Sequence, residues 1–389
     1  MKNLRILNLP LELPNLEYSK RYGYSMSIGL EDAFRAAGAD VLTIPALSGW
    51  PPDAPPGYWL AHLRSLIAGQ RFDQVWIETQ YSNYTPDLLD FLTTVAPVRV
   101  GLMTESRVLL PGEHSEFFSV LPRIFDSRLP YLTHVLFPDE RDALAMTEAG
   151  AGAGVGSKGP RAVFLPIFVN EAFIEDRPPP PDHDRVTFLG RLLRDRKVLL
   201  SDPALHNMIE VVEVTGEEQD HRLQHFDAMC RFFAAASHAV AATPDGMALL
   251  PGGLQAHVEA LRSLKTRSQW IMNRVLQRGI ANLNLRSFSA LFSSRVFESI
   301  AAGQCVISYR VPDRPRTNAL FAEGDEILFF DDSQPESLAE VIHRLRRSPD
   351  ERAAIIRRSQ AKLRAYHTTE KRVAQLLHWI ETGDEPQYG

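Results

Sequence analysis

Cysteine is scarce in this chain of 389 residues. Only Cys230 and Cys305 occur, both in apolar surroundings, which excludes a disulfide framework and a cysteine-based zinc site and points to a reducing compartment. Long apolar runs are also lacking. The nearest, Phe226–Leu250, is broken by Asp227, Arg231, His238, Pro244 and Asp245, so no transmembrane helix is expected. The start, Met1-Lys-Asn-Leu-Arg-Ile-Leu-Asn-Leu9, is too poor in apolar residues for a signal peptide and reads as a strand. Neither sign of charge dominates. With 42 Lys and Arg against 48 Asp and Glu, the net charge of −6 leaves no footprint for nucleic acid. No His/Cys/Asp group has metal-ligand spacing, and neither a Gly-x-Ser-x-Gly elbow nor a P-loop is present. These absences lead us to expect a soluble, cytoplasmic protein without a metal or resident cofactor.

Hydrophobic content of 44% with 23% charged residues is that of a globular protein, and the length suggests two domains. The first half alternates apolar strands with helices. Strands are expected at Leu4–Leu9, Ala39–Ile44, Phe72–Ile77, Val98–Met103, His134–Phe137 and Ala162–Leu165. The helices between them reach Ala37 (with Gly38 closing the first) and span Tyr58–Ile67 and Asp87–Thr94. Such alternation argues for a parallel, doubly wound sheet. Four prolines in Asp176-Arg-Pro-Pro-Pro-Pro-Asp-His-Asp184 make an extended connector. The Gly150–Gly159 stretch has no strand leading into it and reads as a surface loop.

The second half restarts at Arg185–Leu189, with further strands at Met208–Val214, Ile280–Leu285, Val306–Tyr309 and Ile327–Phe330. Helices are expected at Gln219–Ala242, Leu254–Gln277 and Ser333–Arg346, the last with Ser333 and Glu336 as a capping box. A final helix carries Val373, Leu376, Leu377 and Ile380 on one face.

The most informative stretch is Arg295-Val-Phe-Glu298-Ser-Ile-Ala-Ala-Gly303-Gln-Cys-Val-Ile-Ser308, preceded by Ser293 and Ser294. It reads as a serine loop, a short glycine-closed helix and a buried strand. Free amides and the positive end of a helix dipole at such a junction suit an anion such as a diphosphate. Glu298, one turn in, would accept hydrogen bonds from hydroxyls such as those of a ribose. The same pattern also fits any strand-helix-strand unit with a glutamate on its solvent face.

This segment resembles the donor-binding signature of GT-B glycosyltransferases, closest to the spore-maturation-type subgroup, in which arginine and an apolar residue precede Phe-Glu. The resemblance extends through Asn318-Ala-Leu-Phe-Ala-Glu-Gly-Asp-Glu-Ile-Leu-Phe-Phe330, the Ser333–Arg346 helix and His367-Thr-Thr-Glu-Lys-Arg-Val373, covering roughly residues 280 to 380. It implies an α/β fold of two Rossmann-like, doubly wound domains facing each other across a cleft. The expected units are an acceptor-side domain over 1–175, the connector 176–184, a nucleotide-sugar donor domain over 185–365 and a C-terminal helix over 366–389 that returns to the first domain. The implied activity is transfer of a sugar from a nucleotide-diphosphate sugar, which serves as co-substrate, to an acceptor hydroxyl. The acceptor is left open between glycan, small molecule and protein. Alternatives are a non-catalytic sugar-nucleotide-binding member or partner subunit of the same fold, and a different two-domain α/β protein such as a nucleotide-sugar epimerase.

Without a metal, the departing diphosphate needs counter-charge from amides and from Arg or Lys. Gly190-Arg191-Leu-Leu-Arg194-Asp195-Arg196-Lys197 follows a strand where the family has a Gly-Arg turn and a nearby lysine. Gly190, Arg191 and Lys197 are therefore the expected clamp, with Arg196 in reserve. Otherwise Arg194 and Arg196 form a solvated helix face. Ser293, Ser294, Arg295 and Glu298 complete the donor-binding set, Arg295 because a cation opposing the helix dipole is tolerable beside an anion. One departure stands out: where a large retaining branch carries a first glutamate eight positions before the second, this chain has Ala290. On the acceptor side, Glu105 emerges at a strand's carboxyl end, either as general base beside Arg191 in the catalytic set or as a loop glutamate paired with Arg107. Tyr22, Tyr24 and His114 are further acceptor-side candidates. His134 and His367 read as structural, the latter as a helix cap.

Overall fold

The computed structural model describes residues 4–10, 29–44, 58–79, 84–107, 123–152, 159–190, 192, 194–212, 259, 262–263, 266 and 269–389 except 288. In the first half, β1 (Arg5–Leu9), β2 (Asp40–Thr43), β3 (Gln74–Glu78), β4 (Val98–Leu102), β5 (His134–Phe137) and β6 (Arg161–Phe164) pair side by side in the order β2-β1-β3-β4-β5-β6. Every pairing is parallel, with Leu7 opposite both Leu42 and Val75. The helices between them are α1 (Leu30–Ala36), α2 (Tyr58–Leu66), α3 (Pro86–Val95) and α4 (Glu140–Gly152). The runs Ile6–Leu9, Val75–Ile77 and Val135–Phe137 are buried without alternation, as strands covered on both faces must be.

The second sheet has the order β11-β10-β9-β7-β8, again all parallel: β7 (Val186–Leu189), β8 (Ile209–Val212), β9 (Asn282–Asn284), β10 (Val306–Tyr309) and β11 (Leu328–Phe330). Its helices are α5 (Arg194–Leu200), α6 (Ser294–Ala301), α7 (Pro315–Asn318), α8 (Pro335–Arg347), α9 (Pro349–Tyr366) and α10 (Thr369–Thr382). The chain runs from β7 outward to β8 and returns to the other side of β7 for β9. The point of reversal therefore lies between the ends of β7 and β9, where ligands of open α/β sheets collect.

Expected strands and observed strands agree to within a residue or two. The expected helix at Gln219–Ala242 lies outside the described residues; within Leu254–Gln277 the described residues 259, 262–263, 266 and 269–276 are helical. Three local readings need correction. Ser333 and Glu336 form no capping box: Gln334 is the N-cap of α8, and Ser333 donates from both its amide and hydroxyl to Asp331 Oδ1, at 2.9 and 2.6 Å. The aspartate is the stronger local acceptor and takes the serine away from the helix. The Gly150–Gly159 loop starts later than expected, because α4 continues through Gly152. His367 does not cap α10; the Thr368 hydroxyl accepts the Lys371 amide instead. The His367 ring is fully buried against Phe297 and Phe321, its Nδ1 bonded to Arg372, and burial holds its pKa well below the ordinary value.

The connector is packed down rather than loose. Gly303 ends α6 with φ 76°, and a Cβ there would lie 2.7 Å from Pro178, so the glycine allows both the left-handed turn and the close approach of the prolines. After α9, helix α10 lies against α1. Its Trp379 meets the His134 ring edge-on at 5.2 Å, and Arg161 donates to the Trp379 carbonyl at 3.1 Å. The C-terminal helix thus covers the first sheet.

Candidate functional site at the facing strand edges

The carboxyl edge of the second sheet carries a connected set of polar groups. Asn284, the last residue of β9, donates to Ser308 Oγ at 2.8 Å and accepts from Ser293 Oγ at 2.7 Å. Ser293 is the N-cap of α6 by backbone geometry, but its hydroxyl is committed to Asn284 and makes no capping bond to the helix. Ser294 follows, itself buried.

Arg196 was expected in reserve on a solvated face. Instead its side chain turns over the Phe188 ring and donates Nε to the Arg286 carbonyl at 2.8 Å, bridging the ends of β7 and β9 at the reversal point. Burial pulls its pKa down to about 10, so it remains a cation near neutral pH. A Cβ on Gly190 would lie 3.6 Å from Arg196 Nη1. Gly190 therefore sits directly beside this guanidinium. Lys197 is exposed on α5. Arg191, the expected leading member of the clamp, lies outside the described residues, as do Tyr22, Tyr24 and His114.

Arg295 and Glu298 bind each other across one turn of α6. Arg295 also approaches the Met272 sulfur at 2.9 Å. The cation that opposed the helix dipole in the sequence is thus compensated within its own helix. Glu298 has no exposed surface, which rules out the reading of it as a glutamate on a solvent face.

From the first half, the Thr104–Arg107 loop after β4 crosses to the second. Ser289 Oγ donates to Glu105 Oε2 at 2.6 Å, and the Ala290 amide donates to Ser106 Oγ at 3.0 Å. The alternative partner, Arg107, is occupied elsewhere, with Asp126 at 2.5 Å. Burial raises the Glu105 pKa to about 7, against a smaller lowering by the Ser289 hydrogen bond. Ala290, where an acid was expected, is fully buried beneath this contact.

A second set of cross-contacts lies at the N-terminus of α4. Asp139, with no exposed surface, binds Arg314 through both oxygens, one contact being Nη2 to Oδ2 at 2.8 Å. Glu140 accepts the amides of Arg316 and Thr317, at 3.1 and 2.6 Å, and the Thr317 hydroxyl at 3.0 Å. Arg262 reaches Glu31 at 3.0 Å. Side chains from loops and helix ends, invisible to periodicity, thus link the two halves. Among the described residues no group of three His, Cys, Asp or Glu is placed to hold a metal ion, and no helix is long and apolar enough to cross a membrane.

Two parallel, doubly wound sheets meeting edge to edge with a returning C-terminal helix define the GT-B class, and solved structures with this arrangement match almost the whole chain. Sucrose-phosphate synthase from Thermosynechococcus elongatus superposes with a TM-score of 0.56 at 11% identity, covering 98% of each chain. Anabaena HepE in complex with UDP-glucose gives 0.52 at 11% identity, covering 98% of this chain and 100% of its own. A UDP-forming trehalose-phosphate synthase from Burkholderia xenovorans, in complex with glucose-6-phosphate, gives 0.52 at 12% identity over 98% and 100%. Residues 238–378 match the glycosyl transferase-like family. No curated protein sequence matches the chain. The chain has the GT-B fold, and its residues 238–378 are similar to a glycosyl transferase-like domain.

Proposed function

We propose that the protein moves a sugar from a nucleoside-diphosphate sugar to an acceptor hydroxyl, with Glu105 as the base on the acceptor side. The observation that carries this reading is the Glu105 carboxyl, held by Ser289 next to the loop that opens α6, with a pKa near 7. A base poised at neutral pH is half ionised there, which suits proton abstraction. In the reaction the bond between the sugar and the diphosphate oxygen breaks, the acceptor oxygen bonds to the sugar, and the acceptor proton passes to Glu105. The Ser289 hydroxyl, which donates to Glu105 at 2.6 Å, keeps the carboxylate in place before the proton arrives.

The charge that develops on the departing diphosphate is assigned to Arg191, Arg196, Lys197 and the first amides of α6, without a metal. Support comes from Arg196 at the reversal point of the second sheet and from the start of α6, whose N-cap serine makes no side-chain capping bond. Glu298 fixes Arg295 at the same helix end. The solved complex of HepE with UDP-glucose makes that sugar nucleotide the natural probe.

Ala290 favours the second reading, a member of the fold that binds a sugar nucleotide without turning it over. UDP-glucose added at about 100 times its dissociation constant should stabilise the protein by about 2.7 kcal/mol under either reading. Slow hydrolysis of the bound donor, lost in Glu105→Gln, identifies the enzyme. Binding without turnover over prolonged incubation would leave the binding module, and no stabilisation by any nucleoside-diphosphate sugar would refute both.

A further inference from the structure

We propose that Asp142 is a positioning residue for Glu105, an assignment that rests on the reading of Glu105 as the acceptor-side base. Asp142 lies in the first turn of α4 and is 4% exposed. Its Oδ2 accepts the backbone amide of Arg107 at 2.6 Å, two residues beyond Glu105. The contact fixes the loop by its main chain, so the direction in which Glu105 leaves that loop depends on Asp142.

The turn that holds Asp142 is itself fastened to the second half of the molecule. Asp139 grips Arg314, and Glu140 receives the Thr317 amide. One rigid helical turn therefore joins the two places where the halves meet: the buried Asp139–Arg314 pair on one side and the Glu105–Ser289 contact on the other. Groups facing Asp142 are Asp139 just before its helix, Arg107 from the loop and Arg314 from the second half. Glu105 owes its raised pKa to burial, with the Ser289 hydrogen bond opposing. Its proton affinity thus reports where the loop holds it.

The test uses the full chain with carbon-13-labelled glutamate, following each side-chain carboxyl by NMR through a pH titration. Glu105→Gln assigns the signal. The wild-type midpoint is expected near 7. Asp142→Ala should move it down by about one unit or more, toward an ordinary glutamate, as the released loop admits water. Asp142→Asn, whose amide oxygen still accepts from Arg107, should keep it close to the wild-type position. Turnover in UDP-glucose hydrolysis should fall about tenfold in Asp142→Ala with KM little changed, and largely return in Asp142→Asn. Asp142→Ser, too short to span to the amide, serves if the alanine variant does not fold.

An unchanged Glu105 midpoint in the truncated variants would overturn the proposal, as would an asparagine variant that shifts as far as alanine. If instead Glu105→Gln hydrolyses UDP-glucose at the wild-type rate while truncation still shifts the Glu105 midpoint, the positioning contact stands and the assignment of Glu105 as base falls.

Discussion

Replacing Arg314 with methionine removes the positive charge at the junction of the two halves while keeping most of the side-chain volume. Asp139 has no exposed surface and Arg314 is 7% exposed, so their interaction is made away from water. In the variant Asp139 keeps only the Arg141 amide, at 3.0 Å, and the α4 dipole. Glu140 and Asp142, both buried, stand in the same turn, so three carboxylates lose one shared cation. Removing one partner of such a pair costs about 3–5 kcal/mol, because the other charge stays buried. For cooperative units of about 200 residues that is on the order of 10 °C in the calorimetric transition at pH 7. Burial pushes Asp142 up to about 6, so at pH 5 it is largely protonated and repels Asp139 less. The loss should therefore shrink at pH 5. Asp139→Asn combined with Arg314→Met should recover much of the stability, since the orphaned charge is gone. A Tm for Arg314→Met within about 2 °C of wild type at pH 7, or a loss that grows as pH falls, would refute this account.

The remaining predictions concern the site and the acid limit of stability. Glu298→Ala should weaken UDP-glucose binding by about 1–3 kcal/mol in a calorimetric titration, because Arg295 loses the carboxylate that fixes it; unchanged affinity would remove Glu298 from the donor site. Glu105→Gln should lower turnover about a hundredfold or more and abolish the acidic limb near pH 7 in the rate profile, and a limb that survives would assign it to another group. Sugar transfer should survive EDTA; activity lost to the chelator and restored by Mg²⁺ or Mn²⁺ would show that the cations named here do not suffice. Burial lowers the His134 pKa from 6.5 to about 4, with Arg161 adding to the effect. A lowered histidine contributes stability that is complete above pH 6.5 and is lost as pH falls toward 4. His134→Leu should flatten that window by up to about 3 kcal/mol, and an unaltered acid limb would place the effect elsewhere.

The parallel sheets were legible in the sequence because strands buried on both faces read as continuous apolar runs, as in Val135–Phe137. Helix α6 was legible because serine, a run of buried residues and a closing glycine lie consecutively from Ser293 to Gly303. Helix α9, although 18 residues long, was not, since its buried stripe is only Ile355, Ser359 and Leu363 and one of the three is a serine. Tertiary structure alone decided how charges are matched. Sequence proximity suggested Arg107 for Glu105, yet the fold brings Ser289 from 184 positions away. Arg314 meets Asp139 across 175 positions, and Arg196 leaves its helix face for a carbonyl 90 positions on. Apolar periodicity is a local property and fixes which face of an element turns inward. A long charged side chain finds its partner only after the sheets have packed, because burial then makes an unpaired charge too costly to leave.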